Sequence, residues 1–155
     1  MAEVIFVRKL LKKAAALAAA AAITISCVPF ALADDADSGL VLTISNSQDL
    51  LAFAQSVNSG GNYSGRTVTL ECDIDMSGEK YVSAGNKDNP FKGVFDGAGH
   101  SITNLEISGS DYTGFIGCNE GTVKNLYVDA DVSGNMGVAV IAGLNRGNIE
   151  NCTGS

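Results

Sequence analysis

The chain has 155 residues and carries 10 Lys/Arg against 17 Asp/Glu, a formal net charge of −7. That balance argues against nucleic acid and anionic membrane as partners, because both need a positive protein surface. The length suits one small domain once a leader is set aside.

The leader occupies residues 1–33. Arg8, Lys9, Lys12 and Lys13 form a basic stretch, Ala14 to Ile25 is an uncharged run of small and apolar residues, and Ala31-Leu32-Ala33 supplies a small-x-small cleavage site. A helix that spans a bilayer needs about 20 apolar residues, so the run reads as a signal peptide and not as an anchor. A lipid-modified Cys27 fits less well, since Thr24 stands where such sites usually carry Leu. Cleavage leaves 122 residues with six basic and 16 acidic side chains, a net charge of −10. The expected location is secreted or cell surface, with no membrane association after cleavage.

Residues 34–44 read as an acidic linker, opening with DDADSG, and a first strand. The unit at 45–92 comes next. Ser45 to Val57 is an amphipathic helix: Ser45 and Gln48 make a capping box, Leu50, Leu51, Ala54 and Val57 share a face, and Gly60-Gly61 ends it. Residues 67–76 alternate, with Val68, Leu70, Cys72, Ile74 and Met76 inward and Thr67, Thr69, Glu71, Asp73 and Asp75 outward, as in a half-buried strand. Residues 77–92 are polar, with Gly85, Asn89 and Pro90, and read as an excursion loop.

The third unit, 93–155, repeats itself. Ile102-x-Asn104-Leu105-x-Ile107 returns as Val123-x-Asn125-Leu126-x-Val128 and then as Ile149-x-Asn151-Cys152, the second offset slightly longer than the first. Gly117-x-Asn119-x-Gly121 returns as Gly143-x-Asn145-x-Gly147. A period in the twenties with strand-like units and glycine-rich corners points to stacked coils. Ile102 and Leu105 cannot face the same way in a straight strand, so the chain bends at Asn104. Recurrence of this residue at 125 and 151 suggests an inward amide ladder between coils, with its hydrogen bonds met internally. Cys72, Cys118 and Cys152 are odd in number and widely spaced, which is neither a disulfide framework nor a zinc pattern. Their phase puts Cys118 with Leu144, and Cys152 with Leu126 and Leu105, in apolar slots; a Cys118–Cys152 disulfide is the alternative.

Residues 91–152 resemble the GLUG-repeat proteins of bacteria. Gly114-Phe115-Ile116-Gly117 is similar to the element that names the family, followed by Asn119-Glu120-Gly121-Thr122-Val123-Lys124-Asn125-Leu126. Phe91 to Ile102 is similar to the segment that often opens such an array. The sequence departs from the pattern at Ala139, where a glycine is expected, and at Cys152, where Leu is usual. The resemblance implies an exported surface protein with a parallel β-helix. Some relatives are adhesin-like, and others carry these repeats ahead of an immunoglobulin-cleaving metallopeptidase.

Candidate chemistry is sparse. His100 would need a partner, and Asp96 is nearest in sequence, yet Asp96-Gly97-Ala98-Gly99 reads as a turn. Asp73, Asp75 and Asp96 suggest a weak calcium site, but no calcium-loop pattern surrounds them. Asn62-Tyr63-Ser64 and Asn151-Cys152-Thr153 match the glycan acceptor pattern by chance in a chain with a bacterial leader. There is no His-Glu-x-x-His, and the six mature basic residues are scattered.

The expected fold is therefore all-β, a short right-handed parallel β-helix with an N-terminal capping helix, ending in mid-coil at Ser155. The expected function is a non-catalytic structural or interaction module of an adhesin-like surface protein, without cofactor or metal. The alternative is the non-catalytic N-terminal region of a larger secreted enzyme, a metallopeptidase or a carbohydrate-active one. The expected partners are an extracellular protein or glycan and, through the open last coil, a second copy. If the leader is used, the exported protein begins at Asp34; mass spectrometry that finds residues 1–33 on the exported form would contradict this.

Overall fold

A computed structural model describes residues 40–61 and 63–155. The leader, the linker through residue 39 and Asn62 lie outside the described residues. The described residues are mostly β with one helix, and their strand pairs are parallel.

Strand β1 (Thr43–Ile44) leads into helix α1 (Ser47–Asn58). The helix begins one residue later than the Ser45/Gln48 box predicts. Asn46 is the N-cap, its side chain accepting from the Asp49 amide, while the Asp49 carboxylate accepts from the Ser45 amide, each at 3.0 Å. The reciprocal pair is thus Asn46/Asp49, and Asn caps at least as well as Ser. Leu50, Phe53, Ala54 and Val57 are buried, and Leu51 is half-buried.

Beyond the helix the backbone stacks on itself. β2 (Thr67–Leu70), β5 (Val94–Asp96), β9 (Thr122–Ser133) and β12 (Asn148–Gly154) each lie against the next in parallel. Their registers join Thr43, Thr69, Asp96, Lys124 and Glu150 into one column, with nearly constant steps along the sequence. Parallel neighbours cannot be joined by a tight turn, and here each connection runs through the helix or through strands that pair elsewhere. Ile74 in β3 (Ile74–Asp75), Ile102 in β6 (Ser101–Ser108) and Val128 form a second column. β7 (Asp111–Thr113) pairs with β10 (Met136–Val138), and β8 (Ile116–Asn119) with β11 (Ala142–Asn145).

Two expectations need correction. The offset from Asn104 to Asn125 is not a coil: Ile102 lies beside Val128, whereas Val123 lies beside Phe95. Cys152 does stack on Leu126, but Leu105 is opposite Ala130. Nor is the stretch 77–92 an excursion throughout. β4 (Lys80–Tyr81) pairs with β6, Ala84 bridges to Ile116, and Phe91 bridges to Asn119. Tyr81, Ala84 and Phe91 are buried, so these residues form coil wall, and only 86–90 turn outward with local bonds from Asp88 and Asn89 amides to the Asn86 side chain. The alternation at 67–76 holds, although the ladder breaks between β2 and β3 and Cys72 is half-buried.

The core is the inside of the stack. Val68, Phe95 and Val123 lie in register and are fully buried. At the N-terminal end Phe53 of α1 meets Tyr63, Phe91 and Phe95 with ring centroids 5.4 to 5.5 Å apart, edge-on or tilted, so the helix closes the stack with an aromatic plug. Among the described residues no helix is long and apolar enough to cross a membrane.

Close stacking dictates glycine at one corner. The Gly93 carbonyl accepts from the Thr122 amide, and the Gly121 carbonyl from the Asn148 amide. A Cβ on Gly121 would collide with the Gly93 oxygen, and one on Gly147 with the Gly121 oxygen. Gly65, at φ +74, has open space around it. Gly121→Ala is expected to cost about 3 kcal/mol or more, since backbone must move, whereas Gly65→Ala costs about 1 kcal/mol from its left-handed conformation alone. Urea unfolding of both variants checks the order.

Candidate functional site

The three asparagines expected to form an inward ladder do not point inward. Asn104, Asn125 and Asn151 have φ of +55, +53 and +50. Asn104 and Asn151 are exposed, and Asn125 is half-buried. Asn tolerates left-handed backbone better than most residues, so it turns the corner and its side chain stays outside. There the amides bridge coils: Asn151 donates to Asn125 (3.3 Å), Asn125 to the Asp96 carboxylate (3.0 Å), and Asn104 to Asp75 (2.9 Å). The buried amide is Asn119, 1% exposed. It donates to the Asn145 side-chain oxygen at 2.8 Å and accepts from the Gly121 amide at 3.1 Å. Asn145 repeats that last bond with Gly147. The signal was present in the recurring Gly-x-Asn-x-Gly unit.

Gly114, Phe115, Ile116 and Gly117 form the wall opposite the long strands. Phe115 and Ile116 are buried, and added Cβ atoms on the two glycines would meet the carbonyl oxygens of Ala139 and Gly85. Their work is packing between coils.

The charged candidates are held in local structure. Asp96 accepts from the Ala98 amide, and Ala98 and Gly99 have positive φ, which makes 96–99 the predicted turn. His100 faces Asp73 at 3.4 Å, across coils, and not Asp96. The Asp73 carboxyl is held below the usual range first by the Ser101 amide, and that of Asp75 by the Ser77 hydroxyl and then the Asn104 amide. Among the described residues no group of three or more His, Cys, Asp or Glu is placed to hold a metal ion. Among the described residues no disulfide joins Cys72, Cys118 or Cys152. Cys118 is buried opposite Leu144, the other two are half-buried, and burial pushes the Cys118 and Cys152 thiols up.

Two concave regions bear on binding. One, about 560 Å³, is rimmed by Asn104, Glu106, Asp129, Asp131 and Ser155. The other, about 400 Å³, lies between Val82–Lys87 and the 108–113 corner, where the Lys87 ammonium sits 4.7 Å from the centre of the Tyr112 ring. Tyr112 has φ +54, which for a bulky side chain costs on the order of 1–3 kcal/mol.

No family model matches the chain, and no solved structure matches it. It is similar to part of Halomucin from Haloquadratum walsbyi (strain DSM 16790 / HBSQ001), with 32% identity over 122 residues. The match takes in 69% of this chain and 1% of Halomucin, so the chain spans a very small part of that relative.

The two kinds of asparagine are expected to behave differently. Asn119→Leu strands the Gly121 amide and costs about 1–3 kcal/mol, whereas Asn125→Gly, free to keep the left-handed corner, costs less than about 1 kcal/mol. Denaturant midpoints compare them. The Asn125 amide also holds the Asp96 carboxyl below its ordinary value, ahead of the Ala98 amide and Lys124. Its contribution to stability is therefore complete above about pH 4, the unfolded value, and is lost as pH falls through the lower folded value. Asp96→Asn should flatten that acid limb of the stability profile.

Proposed function

We propose that this chain is a non-catalytic interaction module of an exported surface protein, built as a short right-handed parallel β-helix of the GLUG-repeat type. The column Thr43–Thr69–Asp96–Lys124–Glu150 carries the reading, because parallel registers at near-constant spacing are what stacked coils require. The right hand follows the general rule for parallel crossovers. Similarity to a small part of a much longer protein, whose name marks it as mucin-like, fits a module of a surface or secreted protein. The carboxylates singled out as candidates for chemistry are turn and ladder acceptors.

The same reading extends to self-association. Ile149 stacks on Val123 in the inward row, yet it is 38% exposed where Val123 is 0%. Val138, in register with the buried Thr113, is also exposed. This face accepts a further coil, from a second copy of the chain or from more repeats.

Display at the surface is tested on intact producing cells with an epitope inserted in the outward turn at 86–90. Labelling without lysis is the expected result. A signal that appears only after lysis would contradict an exported module.

A further inference from the structure

The corner at Tyr112 is an unusual use of an aromatic residue. The pairing of Asp111 with Met136 and of Thr113 with Val138 sets Tyr112 opposite Gly137. Gly137 has φ +62, so the corner requires left-handed backbone in both coils, and the later coil meets it with the residue that adopts it freely. The other left-handed non-glycine positions among the described residues are three asparagines and Ala98. Backbone geometry thus gives no reason for tyrosine at 112, and the reason lies in its side chain.

That side chain is half-buried in the 400 Å³ groove, the one aromatic among its lining residues. Gly137 backs it, since a Cβ there would press on the ring at 2.8 Å. Beside it stand Val82, 66% exposed, and the exposed Asn86, Ser110 and Asp111. Thr113, also lining the groove, is 1% exposed and its hydroxyl has no hydrogen-bond partner among the described residues.

We propose that this groove binds a neutral polysaccharide, with one pyranose ring laid on Tyr112. This rests on the reading of the chain as an interaction module and names the class of its ligand. The ring and Val82 take the C–H face of a sugar, while the Asn86 amide, the Ser110 hydroxyl and the Asp111 carboxylate are placed for its hydroxyls. A shallow, open groove suits a chain lying across the coils better than an enclosed small molecule. The strongly acidic mature protein disfavours polyanions. Lys87, on the exposed 86–90 turn, lifts from the ring as the sugar enters.

Calorimetric titration of the mature protein with hexaoses of glucose, mannose, galactose and N-acetylglucosamine, and with hexagalacturonate, tests this. At least one neutral hexaose is expected to bind. Tyr112→Gly should weaken that binding tenfold or more while melting no lower than the parent, and Tyr112→Asn should do the same should the glycine variant fold poorly. Lys87→Ala should bind within threefold of the parent. Binding that survives both Tyr112 variants would place the site elsewhere and overturn the proposal. Binding of hexagalacturonate alone, lost in Lys87→Ala, would overturn the neutral class. No binding of any neutral hexaose, with Tyr112 variants melting several degrees lower, would make the ring a packing device over Gly137 and point to a protein ligand. None of these failures touches the cell-labelling result, which is read without any ligand.

Discussion

Parallel pairing places a strand residue directly against its counterpart in the next strand, at the spacing of about 4.8 Å set by interstrand hydrogen bonds. A side chain in such a column must suit what lies above and below it. Two charged columns obey this by alternating sign, whereas Glu106 has Lys80 on one side and Asp131 on the other. Asp96 lies between Thr69 and Lys124, and Lys124 between Asp96 and Glu150, with a Lys124–Asp96 ion pair at 3.2 Å. On the next wall Glu120 pairs with Lys92 on one side at 3.6 Å and with Arg146 on the other at 3.5 Å. Each exposed pair is worth little alone. Like charges in these places would repel at every step, so the alternation selects the register.

The same spacing governs the backbone. Where one coil's carbonyl lies over the next coil's Cα, only glycine fits, as in the Gly93–Gly121–Gly147 row. Where the chain turns left-handed, Asn or Gly serves at all described positions but Ala98 and Tyr112, and the outward Asn amide bonds to the preceding strand's column. Inside, the columns of the described residues are largely apolar on apolar; Thr113 and Asn119 are buried polar side chains, and the Asn119 amide is satisfied by Asn145 and Gly121. A stack has two ends, and α1 covers one by setting Phe53 among Tyr63, Phe91 and Phe95. The groove at Tyr112 is lined by β7, which pairs in parallel with β10.

Much of this was legible because period and composition report on stacking directly. The Gly-x-Asn-x-Gly recurrence, which sets Asn145 beside Asn119, is one true coil, and the alternation at 67–76 survives in the burial of Val68, Leu70, Ile74 and Met76. The misreadings have a common cause. A hydrophobic-x-Asn-hydrophobic unit marks a left-handed corner, and a coil has more than one corner, so matching Asn104 to Asn125 counted corners as coils. At those corners the side chain swings outward, and the inward amide belongs to Asn119. Residues 77–92 read as loop because Tyr81, Ala84 and Phe91 meet the wall at irregular intervals, and only tertiary pairing shows them as wall. Tyr112 carried no sequence signal at all, since its meaning comes from Gly137 beside it.

The account stands on the column that runs from Thr43 to Glu150. Spin labels at these two positions, in otherwise unlabelled protein, give the most direct measurement. Four steps of about 4.8 Å place the two backbone sites about 19 Å apart, although most of the described chain lies between them in sequence. A second pair at Thr69 and Glu150 should come out about 5 Å shorter. A narrow distribution near these values, shortening by one step between the pairs, is the predicted result. A first distance more than half as long again, or no shortening when the label moves from Thr43 to Thr69, would contradict parallel in-register stacking and with it the account of both the fold and the groove.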